Sequence, residues 1–105
     1  MSDNNDGVTV VLRLKIKPET WDEYVPFIHE MLKETATKPG FRSLRAVSNK
    51  DNPYELLFIE EWDSEEDYQA YLKFRVDNGD METFERDYLD GEHTVEIWPK
   101  TVASI

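Results

Sequence analysis

Residues 54–62 read Tyr-Glu-Leu-Leu-Phe-Ile-Glu-Glu-Trp, and this stretch decides the fold. Its length and its branched and aromatic content are typical of a β-strand. Four apolar residues, 56–59, follow one another without a polar residue between them. Because neighbouring side chains of a strand point to opposite faces of the sheet, this strand carries apolar side chains on both faces. We therefore expect a sheet that is covered on both sides.

The segments before this strand predict two more strands. Residues 49–53, Asn-Lys-Asp-Asn-Pro, are turn-forming and join the strand to a preceding strand from Phe41 to Ser48, which makes a hairpin. Further upstream, apolar residues alternate from Val8 to Ile16. This alternation predicts a first strand with one strongly apolar face.

A helix is predicted between the first two strands, over about residues 20–37. Apolar residues recur there at helical spacing, and Thr20 with Glu23 has the spacing of a capping box. Pro26 lacks the N–H that the helical ladder uses, which predicts a bend or a short first turn. Residues 38–40, Lys-Pro-Gly, predict the end of the helix.

Downstream of Trp62 the pattern becomes helical and then returns to a strand. Asp63 or Ser64 caps a predicted helix that runs to about Val76, and a further helical segment covers about 80–90. Residues 94–98, Thr-Val-Glu-Ile-Trp, predict a short last strand.

The order β-α-β-β-α(α)-β predicts an α+β, ferredoxin-like domain with a four-stranded antiparallel sheet. Right-handed crossovers place the helices on one face of that sheet. Since the third strand is apolar on both faces, we expect a second chain to cover the other face, so that two chains form a dimeric α/β barrel. Residues 1–7 lack apolar content and are predicted to be a disordered tail, and residues 8–105 a single domain.

Composition narrows the function classes. The 105 residues include 12 basic and 23 acidic side chains, a net charge of −11, which argues against nucleic acid and against an anionic membrane surface as partners. The absence of cysteine excludes disulfides and thiol nucleophiles. Residues 1–7 do not have the basic and then apolar order of a secretory signal, and we expect a cytoplasmic protein.

Three motifs carry a resemblance that covers roughly residues 8–99. Residues 39–43, Pro-Gly-Phe-Arg-Ser, the strand end Glu-Glu-Trp at 60–62, and Asp-Ser-Glu-Glu at 63–66 before an aromatic helix resemble the antibiotic biosynthesis monooxygenase domain of the dimeric α/β-barrel superfamily. That family includes small oxygenases that oxidise anthrones, quinols and other aromatics without metal or flavin, and relatives that degrade haem. The resemblance implies a pocket between the helices and the sheet, and no cofactor.

The resemblance also points to particular residues. Trp62 stands at the position of the family's strand-end tryptophan, and Tyr71 stands where many members have a histidine or another aromatic residue. Haem-degrading relatives have an asparagine on the first strand and a histidine on a later helix, whereas residues 64–91 contain no histidine here. Haem degradation of that type is therefore not expected.

Direct oxygenation of an electron-rich aromatic substrate needs a proton acceptor, a dry pocket and donors that stabilise an oxyanion. Aromatic side chains could form such a pocket and bind the substrate, although aromatic residues at helical spacing are also ordinary core. The candidate substrate-binding residues are Trp62, Trp21, Tyr24, Tyr68, Phe74 and Phe84.

Three residues are candidates for the chemistry itself. Tyr71 would hydrogen-bond a substrate oxygen. Arg75 lies on the apolar side of its helix and either clamps an anionic substrate oxygen or forms an ion pair with nearby acids. His29 is the candidate imidazole base, or else a half-exposed structural histidine.

Other residues are expected to have no chemical role. His93 is predicted to be a surface residue, and no metal site is predicted from two distant histidines. The acidic run 60–67 is interpreted as a solvated face at a helix start.

These patterns support two hypotheses. The first is a homodimeric, cofactor-independent monooxygenase acting on a small aromatic or quinol-like substrate, with Trp62 orienting it and Tyr71 binding its oxygen. The second is a non-catalytic barrel that binds an aromatic metabolite or haem. A titratable base inside the cavity favours the enzyme, and a cavity filled by its own aromatic side chains favours the binding module.

Overall fold

The computed structural model describes residues 7–105, and the fold is the one that the sequence predicts. The strands are β1 (Val8–Lys15), β2 (Phe41–Ser48), β3 (Glu55–Trp62) and β4 (Thr94–Trp98). The helices are α1 (Trp21–Thr35), α2 (Glu65–Asp77) and α3 (Asp80–Asp87), and a 3₁₀ turn at Pro18–Thr20 precedes α1. The disordered tail predicted for residues 1–7 falls on residues 1–6, which lie outside the described residues, and on Gly7.

The four strands form an antiparallel sheet in the order β2-β3-β1-β4. β1 and β3 lie at the centre, and their register pairs Leu12 with Phe58 and Val10 with Glu60. This α+β, ferredoxin-like arrangement leaves β2 and β4 as the edge strands.

The burial of β3 follows the strand period of two. Leu56, Phe58, Glu60 and Trp62 are buried towards the helices, while the alternate residues, among them Leu57 and Ile59, are half-buried on the opposite face. The chain by itself therefore covers one face of the strand fully and leaves apolar side chains partly exposed on the other.

Helix boundaries differ from the predicted ones by one to three residues, the largest difference being at the end of α3, which stops at Asp87 and not near residue 90. Ser64 accepts a hydrogen bond from the Asp67 backbone N–H, which confirms it as the cap of α2. The capping box predicted for Thr20 is wrong, because its hydroxyl donates to the Lys17 carbonyl and caps no helix N–H group. α1 passes through Pro26 as one helix, and it ends before Gly40.

Gly40 shows why the turn after α1 needs a glycine. Its φ is +81°, and a Cβ there would collide with the side chain of Asp67 at the start of α2. The turn thereby lies directly against the start of α2. Among residues 7–105, no helix is long and apolar enough to cross a membrane.

Candidate functional site

A cavity of about 670 Å³ lies between the helices and the inner face of the sheet. β1 contributes Leu12 and Leu14 to its floor, and β3 contributes Phe58 and Glu60. Leu44 of β2, Val95 of β4, His93 before β4 and all three α-helices supply the remaining walls, which are mostly apolar. Its volume is in the range of small-molecule sites.

Five of the nine residues predicted for the site line this cavity. They are Tyr24, Tyr68, Tyr71, Arg75 and Phe84. Trp21, Phe74, Trp62 and His29 are not among the lining residues.

Two of the predicted aromatic residues pack outside the cavity for identifiable reasons. Trp21 is half-buried and packs edge-on against Tyr54, with ring centroids 5.3 Å apart. Phe74 lies under Lys38, whose ammonium sits 3.5 Å from the ring centroid.

Trp62 lies behind the cavity wall and is fully buried. Its indole is packed between the rings of Phe41, Tyr68 and Tyr71, at centroid distances of 5.4, 6.1 and 5.0 Å. The indole N–H donates to Glu60 Oε1 over 2.9 Å. Trp62 thus contacts two cavity-lining tyrosines and fixes a cavity-lining carboxylate.

Glu60 is a site residue that the sequence analysis missed. The interpretation of the acidic run as a solvated face is wrong for this residue, since only 4% of it is exposed and it lines the cavity. The signal was present in the alternation of the strand, because Glu60 has the same parity as the buried Phe58 and Trp62. Burial raises the pKa of Glu60, and the hydrogen bond from Trp62 opposes that rise.

Arg75 is 2% exposed and joins all three α-helices. Its five N–H groups donate to five acceptors: Tyr71 Oη at 3.1 Å, Glu34 Oε1 at 2.7 Å, Asp80 Oδ2 at 2.8 Å, the Met31 carbonyl at 2.9 Å and Thr35 Oγ1 at 3.0 Å. A guanidinium has five N–H donors, so none is left over for a substrate. Of the two alternatives for Arg75, the structure has the ion pair.

These partners stabilise the positive charge of Arg75. Burial by itself lowers the pKa of a guanidinium, but the hydrogen bonds to Tyr71, Asp80 and Glu34 outweigh it and raise the pKa of Arg75. Arg75 is a permanent cation that holds the hydroxyl of Tyr71 in place.

Tyr71 Oη lies 3.0 Å from Thr35 Oγ1 and accepts a hydrogen bond from Arg75. Thr35 is fully buried and its hydroxyl also lies 3.0 Å from the Met31 carbonyl. If Thr35 donates to that carbonyl, Tyr71 donates to Thr35; if Thr35 donates to Tyr71, the phenolic proton is free to point into the cavity. The second arrangement lets Tyr71 donate to a substrate oxygen.

Tyr68 and Tyr24 line the cavity and carry neutral hydroxyls. Burial raises the pKa of both phenols, and the negative charge of Glu60 raises the pKa of Tyr68 further. Both side chains therefore stay protonated over the physiological range.

The two histidines exchange the places that the sequence predicted. His29 is exposed on α1 and does not line the cavity. His93, predicted to be on the surface, is half-buried and lines the cavity just before β4. Across residues 7–105, no three His, Cys, Asp or Glu side chains are grouped so that they could hold a metal ion.

The fold and the cavity define a class: a ferredoxin-like α+β domain that encloses a ligand-sized space between sheet and helices. Residues 7–75, well over half of the chain, match the family described as antibiotic biosynthesis monooxygenase. The chain belongs to this family. No curated protein matches the sequence.

Solved structures share the fold at low sequence identity. A conserved protein from Methanosarcina mazei Go1 is 21% identical, with a TM-score of 0.81 over 94% of this chain and 97% of that one. A structure described as an antibiotic biosynthesis monooxygenase is 19% identical, with a TM-score of 0.78 over 90% and 98%. A protein of unknown function from Nitrosomonas europaea is 17% identical, with a TM-score of 0.76 over 97% and 96%.

Proposed function

We propose that the protein is a cofactor-independent monooxygenase that oxidises a small aromatic or quinol-like substrate with O₂. The observation that carries this proposal is the titratable carboxylate of Glu60, which is buried in the otherwise apolar floor that the sheet forms under the cavity. A binding module needs no such group, and burying one costs stability. The cavity is also open space of about 670 Å³ and is not filled by its own aromatic side chains.

The walls suit a flat aromatic ligand. Tyr24, Phe58 and Phe84 provide ring faces and edges, and Met31 adds an adaptable thioether side chain. Polar groups placed at a few points among apolar walls are the usual means by which a site fixes the orientation of its ligand.

The chemistry balances without a reductant for a substrate of the anthrone class. A ring methylene loses two hydrogens and becomes a carbonyl, one atom of O₂ enters that carbonyl, and the other leaves as water. The substrate supplies all four electrons. The protein has to bind the substrate, remove a proton so that the anion donates electrons to O₂, and stabilise the developing oxyanion.

Tyr71 is the residue that we propose to bind the substrate oxygen. Its hydroxyl reaches the cavity and is held from behind by Arg75 and Thr35. Arg75 is a positioning residue in this scheme, because all its donors are engaged by the protein. The indole of Trp62 acts through its neighbours and does not itself line the cavity.

We also propose that two copies pair through the outer face of the sheet. Val11, Leu57 and Ile59 are half-buried there, and Val47 and Trp98 are exposed. The strand register places these side chains on the same face of adjacent strands. Covering such a face with its own copy gives a two-fold dimer.

The test is oxygen consumption by metal-free protein against a panel of hydroquinones and anthrones. We expect uptake above the autoxidation rate, reduced at least tenfold in Tyr71→Phe. Tyr54→Phe is the matched control, since Tyr54 packs on Trp21 outside the cavity. Absence of uptake across the panel, with the same ligands still binding, would favour the binding module.

A further inference from the structure

We infer that Glu60 is the group that accepts the substrate's proton, and that Trp62 is the positioning residue that holds its carboxylate ready. This inference rests on the proposed function and deepens it. It adds a chemical requirement: the substrate carries an acidic hydroxyl, or a ring C–H that is acidic to a similar degree, and enters the cavity neutral.

Among the described residues, the neighbours of Glu60 supply no counter-ion for its carboxylate. The residues paired with it across the sheet are Val10 on β1 and Leu44 on β2, both apolar. Within residues 7–105 it takes part in no salt bridge. Structural glutamates that are buried this deeply are normally paired with a cation. The N–H groups of Arg75, the arginine that lines the cavity, are all engaged by other partners.

The hydrogen bonding of Glu60 leaves acceptor capacity towards the cavity. In the described part of the chain its side chain has a single hydrogen bond, from the indole N–H of Trp62 to Oε1. An ionised carboxylate offers about four acceptor sites. The remaining ones are available to a ligand hydroxyl in the space that Glu60 lines.

The indole of Trp62 fixes this carboxylate with little freedom. It is fully buried and in contact with three aromatic rings, so its donor direction is set by packing. An indole N–H is a donor only, and it stabilises the ionised carboxylate more than the neutral acid. The pair therefore keeps Glu60 ionisable in a site where burial favours the acid.

The chain contains an exposed copy of the same arrangement. Glu96 and Trp98 on β4 have the same spacing, and the indole N–H of Trp98 donates to Glu96 Oε1 over 3.3 Å. Trp98 is 58% exposed, and this pair lies on the outer face of the sheet. It supplies control variants with the same Glu–Trp hydrogen bond outside the cavity, in a pair whose glutamate, unlike Glu60, also lies 3.8 Å from Arg13 Nε.

Besides Glu60, the cavity is lined by ionisable groups on the three helices and just before β4. α2 presents Tyr68, Tyr71 and Arg75, of which Tyr68 senses the charge of Glu60 directly. On α1 the ionisable lining residue is Tyr24, whose phenol stays neutral, and the lining residues of β1 and β2 are uncharged. The rest lie on α3 and before β4: Asp80, Glu82, Glu85 and His93.

The proton step is a transfer from the substrate to the carboxylate of Glu60. The substrate O–H or C–H bond breaks, its electron pair stays on the substrate, and the proton moves to a carboxylate oxygen of Glu60. The substrate anion is then the electron donor to O₂. His29 is exposed and outside the cavity, and Arg75 is a permanent cation, so neither is placed to accept this proton.

The experiment uses 4-nitrophenol, a phenol whose ionisation is visible and which is not oxidised by O₂. Binding is followed by visible absorbance and by infrared difference spectroscopy at a pH below the dye's own pKa. In the wild type we expect the phenolate band to appear together with a carboxylic-acid C=O band. In Glu60→Gln the phenolate fraction of the bound dye falls at least tenfold and the acid band is absent, while Glu96→Gln behaves as the wild type.

The variant Trp62→Phe tests whether Trp62 positions the carboxylate of Glu60. Losing the indole donor removes a hydrogen bond to the charged form, so the carboxyl band of the free protein titrates about one pH unit higher. Trp98→Phe leaves that titration in place. If Trp62→Phe does not fold, the Glu60→Gln measurement decides alone.

Three results would overturn the inference: a dye that binds the wild type only as the neutral phenol, a phenolate fraction that survives in Glu60→Gln, or a dye that does not bind the wild type. Because the dye is not a substrate, a missing oxygen uptake in the panel above would refute the proposed oxygenase while leaving these measurements valid.

Discussion

Replacing Arg75 by methionine should destabilise the protein by about 3 kcal/mol. Removing one member of a buried ion pair costs roughly 3–5 kcal/mol. Methionine fills most of the space of the arginine stem, so the loss is mainly of hydrogen bonds. The lower end of that range applies because the two carboxylates left behind, Glu34 and Asp80, have side chains that are 47% and 21% exposed and can be hydrated.

The assay is urea unfolding followed by circular dichroism, with the melting temperature as a second measure. An unfolding entropy of about 2.1 cal/mol/K per residue gives roughly 0.22 kcal/mol/K for this chain, so 3 kcal/mol corresponds to a drop of about 14 °C. Lys73→Met is the control: it lies on the same helix in an ion pair with Asp77, and its side chain is 76% exposed. An exposed pair of this kind is worth about 0–1 kcal/mol.

Arg75→Lys should fall between these two variants, because an ammonium offers three donors for five acceptors. Equal stability of Arg75→Met and Lys73→Met would refute the reasoning, since it would mean that the hydrogen bonds of Arg75 contribute no net stability to the packing of the three helices.

Three further predictions concern the cavity and the outer face. Glu60→Gln should gain stability relative to the wild type as the pH rises above the ordinary pKa of a glutamate, because the raised pKa of Glu60 means that the folded state loses stability when the carboxyl ionises; pH-dependent melting curves test this, and parallel curves for both proteins would contradict it. His29→Ala should leave oxygen uptake within about twofold of the wild type, since His29 is exposed and outside the cavity; a loss comparable to that of Tyr71→Phe would show that α1 takes part in the chemistry. Ile59→Glu should convert a dimer to a monomer in sedimentation velocity by placing a charge on the outer face of β3, and a wild type that already sediments as a monomer would rule out the proposed pairing.

The order of elements could be predicted from the sequence because it depends on local signals. The alternation of β1, the turn at 49–53 and the Ser64 cap each act within a few residues, and all three have the predicted structure. Thr20 failed as a cap because the 3₁₀ turn before α1 takes up its hydroxyl, and residue spacing does not reveal such a competition.

The site was harder to predict because it depends on pairing between distant elements. Arg75 was correctly placed on the inner side of α2, but four of its five acceptors lie on α1 and α3, 5 to 44 residues away. The acidic neighbours of Glu60 favoured the interpretation as a solvated segment. Its parity with Trp62 nevertheless indicates that it faces inward. His93 reaches the cavity only because the sheet order brings the segment before β4 beside β1.

The position of β4 also determines how the chain is completed during synthesis. The five residues of β4 cover the edge of β1 from Thr9 to Arg13, which is synthesised before the other three strands of the sheet. Until residues 94–98 leave the ribosome, that central strand presents unpaired N–H and C=O groups, and the cavity lacks its wall at His93 and Val95. A nascent or truncated chain that ends before β4 therefore has an incomplete cavity wall and an unpaired edge on β1. The sheet is complete only when β4 pairs with β1.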